Sequence, residues 1–119
     1  MTAERLSRSS RITRAEELRA LTTQGKRRRT DHLDLFTRPS PVGRSRLAVI
    51  VARERHSAVQ RNLLRRRLRE IGRRSVLPLL ATPTDVLVRT RREAYRAGFE
   101  TLRQEFVGSL CPSSRGSAS

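Results

Sequence analysis

The chain lacks tryptophan altogether and has one tyrosine and three phenylalanines in 119 residues, so its interior must be built mainly from Leu, Val, Ile and Ala. It has a single cysteine, Cys111, which excludes an internal disulfide; its Pro/Ser-rich surroundings mark it as a bystander. No apolar run approaches the roughly 20 residues needed to span a bilayer, and the first residues lack the apolar stretch of a signal peptide. The expected setting is therefore cytoplasmic, with no membrane partner. Carboxylates are scarce as well: 11 Asp plus Glu stand against 27 Lys plus Arg, for a net charge of +16. A small domain under that self-repulsion needs a polyanion nearby, and nucleic acid is the one its chemistry suits. Lys26 is the only lysine, and guanidinium groups favour bidentate phosphate contacts and stacking on bases.

The two histidines, His32 and His56, have no nucleophile or second base at useful spacing, and no glycine loop of the phosphate-cradling type occurs. The acidic cluster Asp31, His32 and Asp34 would be split by strand alternation, which puts the two carboxylates on opposite faces and argues against a self-sufficient metal nuclease.

The length fits one domain over residues 11–110, between a flexible basic N-terminus (1–10) and a disordered tail (111–119). Residues 13–24 (TRAEELRALTTQ) read as a helix with Thr13 and Glu16 as a capping box and Gly25 as its stop. KRRRTD reads as a charge run. HLDLFTR (32–38) suggests a strand closed by the turn at 39–43, and RLAVIVA (46–52) a strand with at least one covered face. Ser57 with Gln60 forms a second capping box, opening the helix SAVQRNLLRRRLREIGRRS. After a loop bounded by Pro78 and Pro83, TDVLVRT (84–90) supplies another strand. Thr90 with Glu93 caps a last helix whose Tyr95, Phe99, Leu102, Phe106 and Leu110 form one apolar face. Helix, strand, strand, helix, strand, helix implies an α/β sandwich with one small sheet.

On a wheel at 100° per residue, Arg61, Asn62, Arg65, Arg66, Arg69 and Arg73 fill one stretch of the middle helix. The other half carries Val59, Leu63, Leu64, Leu68 and Ile71, with Arg67 and Arg74 laying aliphatic stems along it. Arg61, Arg65, Arg69 and Arg73 recur every four residues, a row with steps of about 6 Å, close to the phosphate spacing of an RNA strand. Like charges so placed repel one another, and Glu70, within reach of Arg66 and Arg74, cannot neutralise the row. Mixed-charge helices usually present such a run to solvent; the single sign points instead to an anionic partner. Asn62 adds a donor and acceptor suited to a base edge, a ribose hydroxyl or a hydrated metal ion, or to local hydrogen bonding at the helix start. Charge alone is satisfied by a structural RNA-binding protein, such as a ribosomal or assembly protein, with no catalytic role. A DNA-binding regulator is disfavoured, since no helix-turn-helix pairing or dimer heptad is visible.

Residues 58–70, AVQRNLLRRRLRE, resemble the RNR signature of the bacterial ribonuclease P protein family, usually AV-x-RN-xx-KR-xx-RE. Ala58, Val59, Arg61, Asn62, Arg66, Arg69 and Glu70 match, with Arg65 in place of the usual Lys. The likeness runs from about Leu6 to Val107, taking in Gly25-Lys26-Arg27, the RLAVIVA strand and Asp85-Val86-Leu87-Val88. The resemblance implies an α+β sandwich, a small mixed sheet with helices packed on it and a left-handed βαβ crossover, against the usual right-handed rule. It implies a protein monomer within a ribonucleoprotein, bound to ribonuclease P RNA and precursor tRNA, assisting Mg2+-dependent removal of the 5′ leader. The RNA would supply the active site and hold most of the Mg2+. The RNR helix would lie near the RNA's catalytic core, and a cleft between the first helix and the sheet would hold the leader. The chain departs from the family there, with Leu18 and Thr22 where aromatics are usual; Phe36 is either a cleft residue or core. Glu54 and His56 replace a usual Lys and Gly before the signature.

Overall fold

The computed structural model describes residues 11–53 and 57–110, so the expectations for the N-terminus, for Glu54 and His56, and for Cys111 and the tail fall outside the described residues. In chain order the elements are α1 (Ala15–Gln24), β1 (Lys26–Arg29), β2 (Leu33–Pro39), β3 (Arg46–Ile50), α2 (Ala58–Ile71), β4 (Thr84–Thr90) and α3 (Phe99–Leu110). The strands form one mixed sheet in the order β1-β2-β4-β3, antiparallel except for the parallel pair β3 and β4.

β2 and β4 are buried on both faces because side chains alternate across the sheet. On one face Leu33, Leu35, Leu47, Val86 and Val88 meet Leu64, Leu68 and Ile71 of α2 and Leu102 and Phe106 of α3. On the other, Phe36, Ala48 and Leu87 pack under Ile12, Leu18 and Leu21. The sheet is thus the middle layer, with α1 on one side and α2 and α3 on the other.

The β3–α2–β4 crossover is left-handed, as local geometry shows. Leu47 turns its side chain towards α2 and Gly72, while its carbonyl accepts from the Ile12 N–H at 3.0 Å, away from β4. For an L-residue in a strand running upwards with its side chain towards the viewer, the N–H and C=O point right. Seen from α2, β4 therefore lies to the left of β3, opposite to the common right-handed crossover.

Four expectations need correction. The charge run Lys26–Arg29 is a strand, paired with Asp34 to Thr37 of β2 and exposed along its length. Helix α1 starts at Ala15 without a side-chain cap, so Thr13 and Glu16 form no capping box. Gly25 does end α1, yet in extended conformation (φ −76°); a Cβ there would lie 2.6 Å from the Leu21 carbonyl oxygen and 2.8 Å from that of Thr37. Gly25 thus permits two backbones to approach rather than forming a left-handed cap. The last helix is broken: Thr90 is the buried end of β4, its hydroxyl accepting from the Ala52 N–H at 2.9 Å, and Arg92–Arg96 form a separate 3-10 turn before α3. Tyr95 therefore lies outside α3, and Phe99 is 42% exposed, whereas Leu102 and Phe106 are buried.

Candidate nucleic-acid interface

Helix α2 begins as its sequence requires. The Ser57 hydroxyl accepts from the Gln60 N–H at 3.1 Å, and the Gln60 side chain accepts from the Ser57 N–H at 3.0 Å. Leu64, Leu68 and Ile71 anchor one side to the sheet. The opposite side is centred on Val59, Asn62 and Arg66, all exposed. Val59 is 76% and Leu63 44% exposed, so neither belongs to the core half assigned from the wheel.

Arg61, Arg65 and Arg69 form a half-buried flank of the wet side. Burial disfavours the charge on Arg69, and the nearby cations Arg11 and Arg65 add to this, so its pKa is lowered. Arg11 reaches this flank because its backbone runs parallel to Leu47 at the free edge of β3. Tyr95 lies against the same flank, its hydroxyl donating to the Ala52 carbonyl; burial pushes that hydroxyl's pKa up while Arg61 and Arg65 pull it down. Asn62 Oδ1 accepts from Arg65 at 2.7 Å.

The four-residue row is shorter than its sequence suggests. After Ile71 the backbone loosens into a π-helical turn, Gly72–Val76, which carries Arg73 off the α-helical line. Arg73 pairs with Glu70 at 2.9 Å, and Arg74 with the same carboxylate. The α-helical part of the row is Arg61, Arg65 and Arg69, extended by Arg11 and flanked by Asn62 and Arg66. The position of Arg11 could not be read from periodicity, because it comes from a separate chain segment docked on β3.

On the α1 side of the sheet, Phe36 is 3% exposed and clustered with Leu18 and Leu21. The Arg27 and Arg89 guanidinium carbons lie 5.6 and 5.1 Å from its ring centroid. A base could reach this ring only by displacing an arginine. The Thr22 hydroxyl is bonded to the Arg19 carbonyl of its own helix at 2.9 Å. Asp34, also buried, lies 3.3 Å from Arg27, 3.6 Å from Arg89 and 3.8 Å from Arg29. It thus organises the cations over Phe36. Neither Arg27, within the charge run, nor Arg89 is marked by the sequence as a partner of Phe36, although the hairpin register of KRRR against LDLF would place Arg27 opposite Phe36.

A buried ion network fixes α1 above this face. Arg46 makes a bidentate contact with Asp85, at 3.0 and 2.8 Å, and reaches Glu17 of α1 at 3.2 Å. Hydrogen bonding to Asp85 raises the Arg46 pKa despite burial. Among the described residues no group of three or more His, Cys, Asp or Glu side chains could hold a metal ion, and no helix is long and apolar enough to cross a membrane.

Comparison with known proteins agrees with this architecture. The ribonuclease P family profile matches residues 6–111. The ribonuclease P protein component of a Picosynechococcus strain is 28% identical over 101 residues, covering 84% of this chain and 86% of that protein. The Thermotoga maritima RNase P protein, solved with 1-(4-fluorophenyl)-2-thiourea, superposes with a TM-score of 0.71 at 27% identity, covering 80% of this chain and 92% of that one. A Staphylococcus aureus RNase P protein gives 0.72 at 19% identity, covering 89% and 95%, a likeness of fold. With its profile match running from before the first described residue to the end of α3, the chain belongs to the ribonuclease P protein family.

Proposed function

We propose that this chain is the protein subunit of ribonuclease P, binding the catalytic RNA through α2 and assisting Mg2+-dependent removal of the 5′ leader from precursor tRNA. The observation that carries the reading is the one-sided wet face of α2, where Asn62 and Arg66 stand beside Arg61, Arg65 and Arg69 inside the family signature. Electrostatic binding alone would call for the positive charge but not for Asn62.

Mg2+ would polarise the scissile phosphate and activate water. The described residues offer no carboxylate cluster for it, so the RNA would hold the ion. The exposed Asn62 amide suits one contact through a metal-bound water. The arginines would neutralise RNA phosphates and let strands close up around that ion. On the α1 side, Arg27 and Arg89 would meet the leader as stacked cations in place of first-helix aromatics, with Leu18 and Thr22 forming the far wall.

The test is reconstitution with the cognate RNA at low Mg2+. Wild-type protein should restore leader cleavage, and protein alone should cleave nothing. Arg61→Ala and Asn62→Ala should each raise the Mg2+ concentration required. Stimulation no greater than that from a basic peptide of equal charge would sink the proposal and leave a structural RNA-binding role.

A further inference from the structure

Among the described residues, strand β1 has an open outer edge and four exposed cations. Alternation sends Arg27 and Arg29 to the α1 face, towards Asp34, and Lys26 and Arg28 to the α3 face. Among the described residues neither Lys26 nor Arg28 pairs with a carboxylate.

On that second face a groove of about 580 Å³ separates β1 from the C-terminal half of α3. It is lined by Arg28, Arg29 and Thr30 and by Gln104, Glu105, Gly108 and Ser109. That volume is enough for a nucleotide-sized unit. Glu105 could have cancelled the charge, but its carboxylate is turned onto the hairpin: Oε1 accepts from the Thr30 hydroxyl at 2.6 Å and the His32 N–H at 3.0 Å, and Oε2 lies 2.5 Å from His32 Nδ1. This clasp ties the β1–β2 turn to α3 and so holds the groove's two walls together. Apart from Glu105, the polar side chains lining the groove are guanidinium, amide and hydroxyl, groups that can donate to phosphate oxygens.

We propose that this groove is a second phosphodiester-binding surface, gripping an RNA strand through Arg28, with Lys26 beside it. The inference rests on the RNA-binding reading above and extends it to the opposite edge of the sheet. Three strand spacings of about 4.8 Å put β1 about 14 Å from β3, so no single phosphate can serve both surfaces. The protein would then clamp two separate stretches of RNA backbone. The phosphates could come from the catalytic RNA or from precursor tRNA, and the experiment separates these sources.

Arg28→Gln and Arg28→Lys are compared with wild type across a salt series in two assays. One measures affinity of the protein for its catalytic RNA; the other measures affinity of the reconstituted holoenzyme for precursor tRNA. Arg28→Gln should weaken one of them roughly 3- to 10-fold near 0.1 M salt and lower the salt slope by about 0.7 to 0.9, while Arg28→Lys keeps most of the affinity. Loss in the first assay assigns the groove to the catalytic RNA, and loss in the second to the precursor. Arg61→Gln, in the same assays, reports on α2. If it loses affinity while Arg28→Gln matches wild type in both, the second surface is refuted; if neither variant changes anything, the RNA-binding reading falls with it.

Discussion

Glu105 faces a cationic groove yet directs its charge inward. Burial opposes its ionisation, but hydrogen bonds from Thr30 and His32, with Coulomb attraction to His32, outweigh that cost and hold its pKa below the ordinary 4.5. A carboxyl whose pKa is depressed by folding contributes stability that is complete above the unfolded value and is lost as pH falls through the folded one. Glu105→Gln should therefore be less stable than wild type at neutral pH, and the difference should close in acid, below about pH 4.5. Urea midpoints measured from pH 7 down to pH 3 would check this; a gap that stayed constant would mean that the clasp acts through shape alone. Asp85 and Asp34 show the same inward use of scarce acid. Among the described residues, these two carboxylates are buried among arginines, Asp85 fixing α1 and Asp34 fixing the cations over Phe36.

Among the elements, α2 has the sharpest contrast between its two sides. Leu68 is fully buried against the sheet, and Leu63 is 44% exposed. Leu68→Ala should cost about 2 to 5 kcal/mol through the cavity it leaves, whereas Leu63→Ala should stay within about 0.5 kcal/mol, as surface changes do. Chemical denaturation of the two variants decides this, and equal losses would mean that α2 sits rotated on the sheet. The rotation was the part of α2 the sequence could not supply. Its start was legible from Ser57 and Gln60, and its basic character from the arginine count, but a wheel with seven arginines and five aliphatics does not say which apolar residues win the core. β3 and β4 were legible because their short β-branched apolar runs need at least one covered face. β1 was not, since KRRR has no apolar alternation and owes its extended form to hydrogen bonds from β2. Thr90 and Glu93 matched a capping pattern, but the Thr90 hydroxyl was already committed to the Ala52 N–H. Nothing in RLAVIVA marks Arg46 as buried, because its partners lie 29 and 39 residues away.

At the level of the whole molecule, the sequence carries a charge of +16, most of it on described residues that form a body of 36 × 34 × 33 Å. That charge opposes compactness, and at low ionic strength it is poorly screened. The RNA-free protein should gain thermal stability as salt rises from about 0.01 to 0.2 M, over which the Debye length falls from about 30 Å to under 10 Å. Calorimetry across that range checks the point; a midpoint that fell with salt would show ion pairs outweighing repulsion. The sign of the partner's charge was legible from composition alone, whereas the division of cations between two edges of the sheet was not, because it depends on strand order. Among the described residues that order also leaves β1 with an unpaired rim of backbone groups, the usual starting point for one chain to add onto another. Two copies meeting there would bring four cations from each within about 5 Å, so the residues that suit this edge to a polyanion also stop identical chains from stacking into fibres.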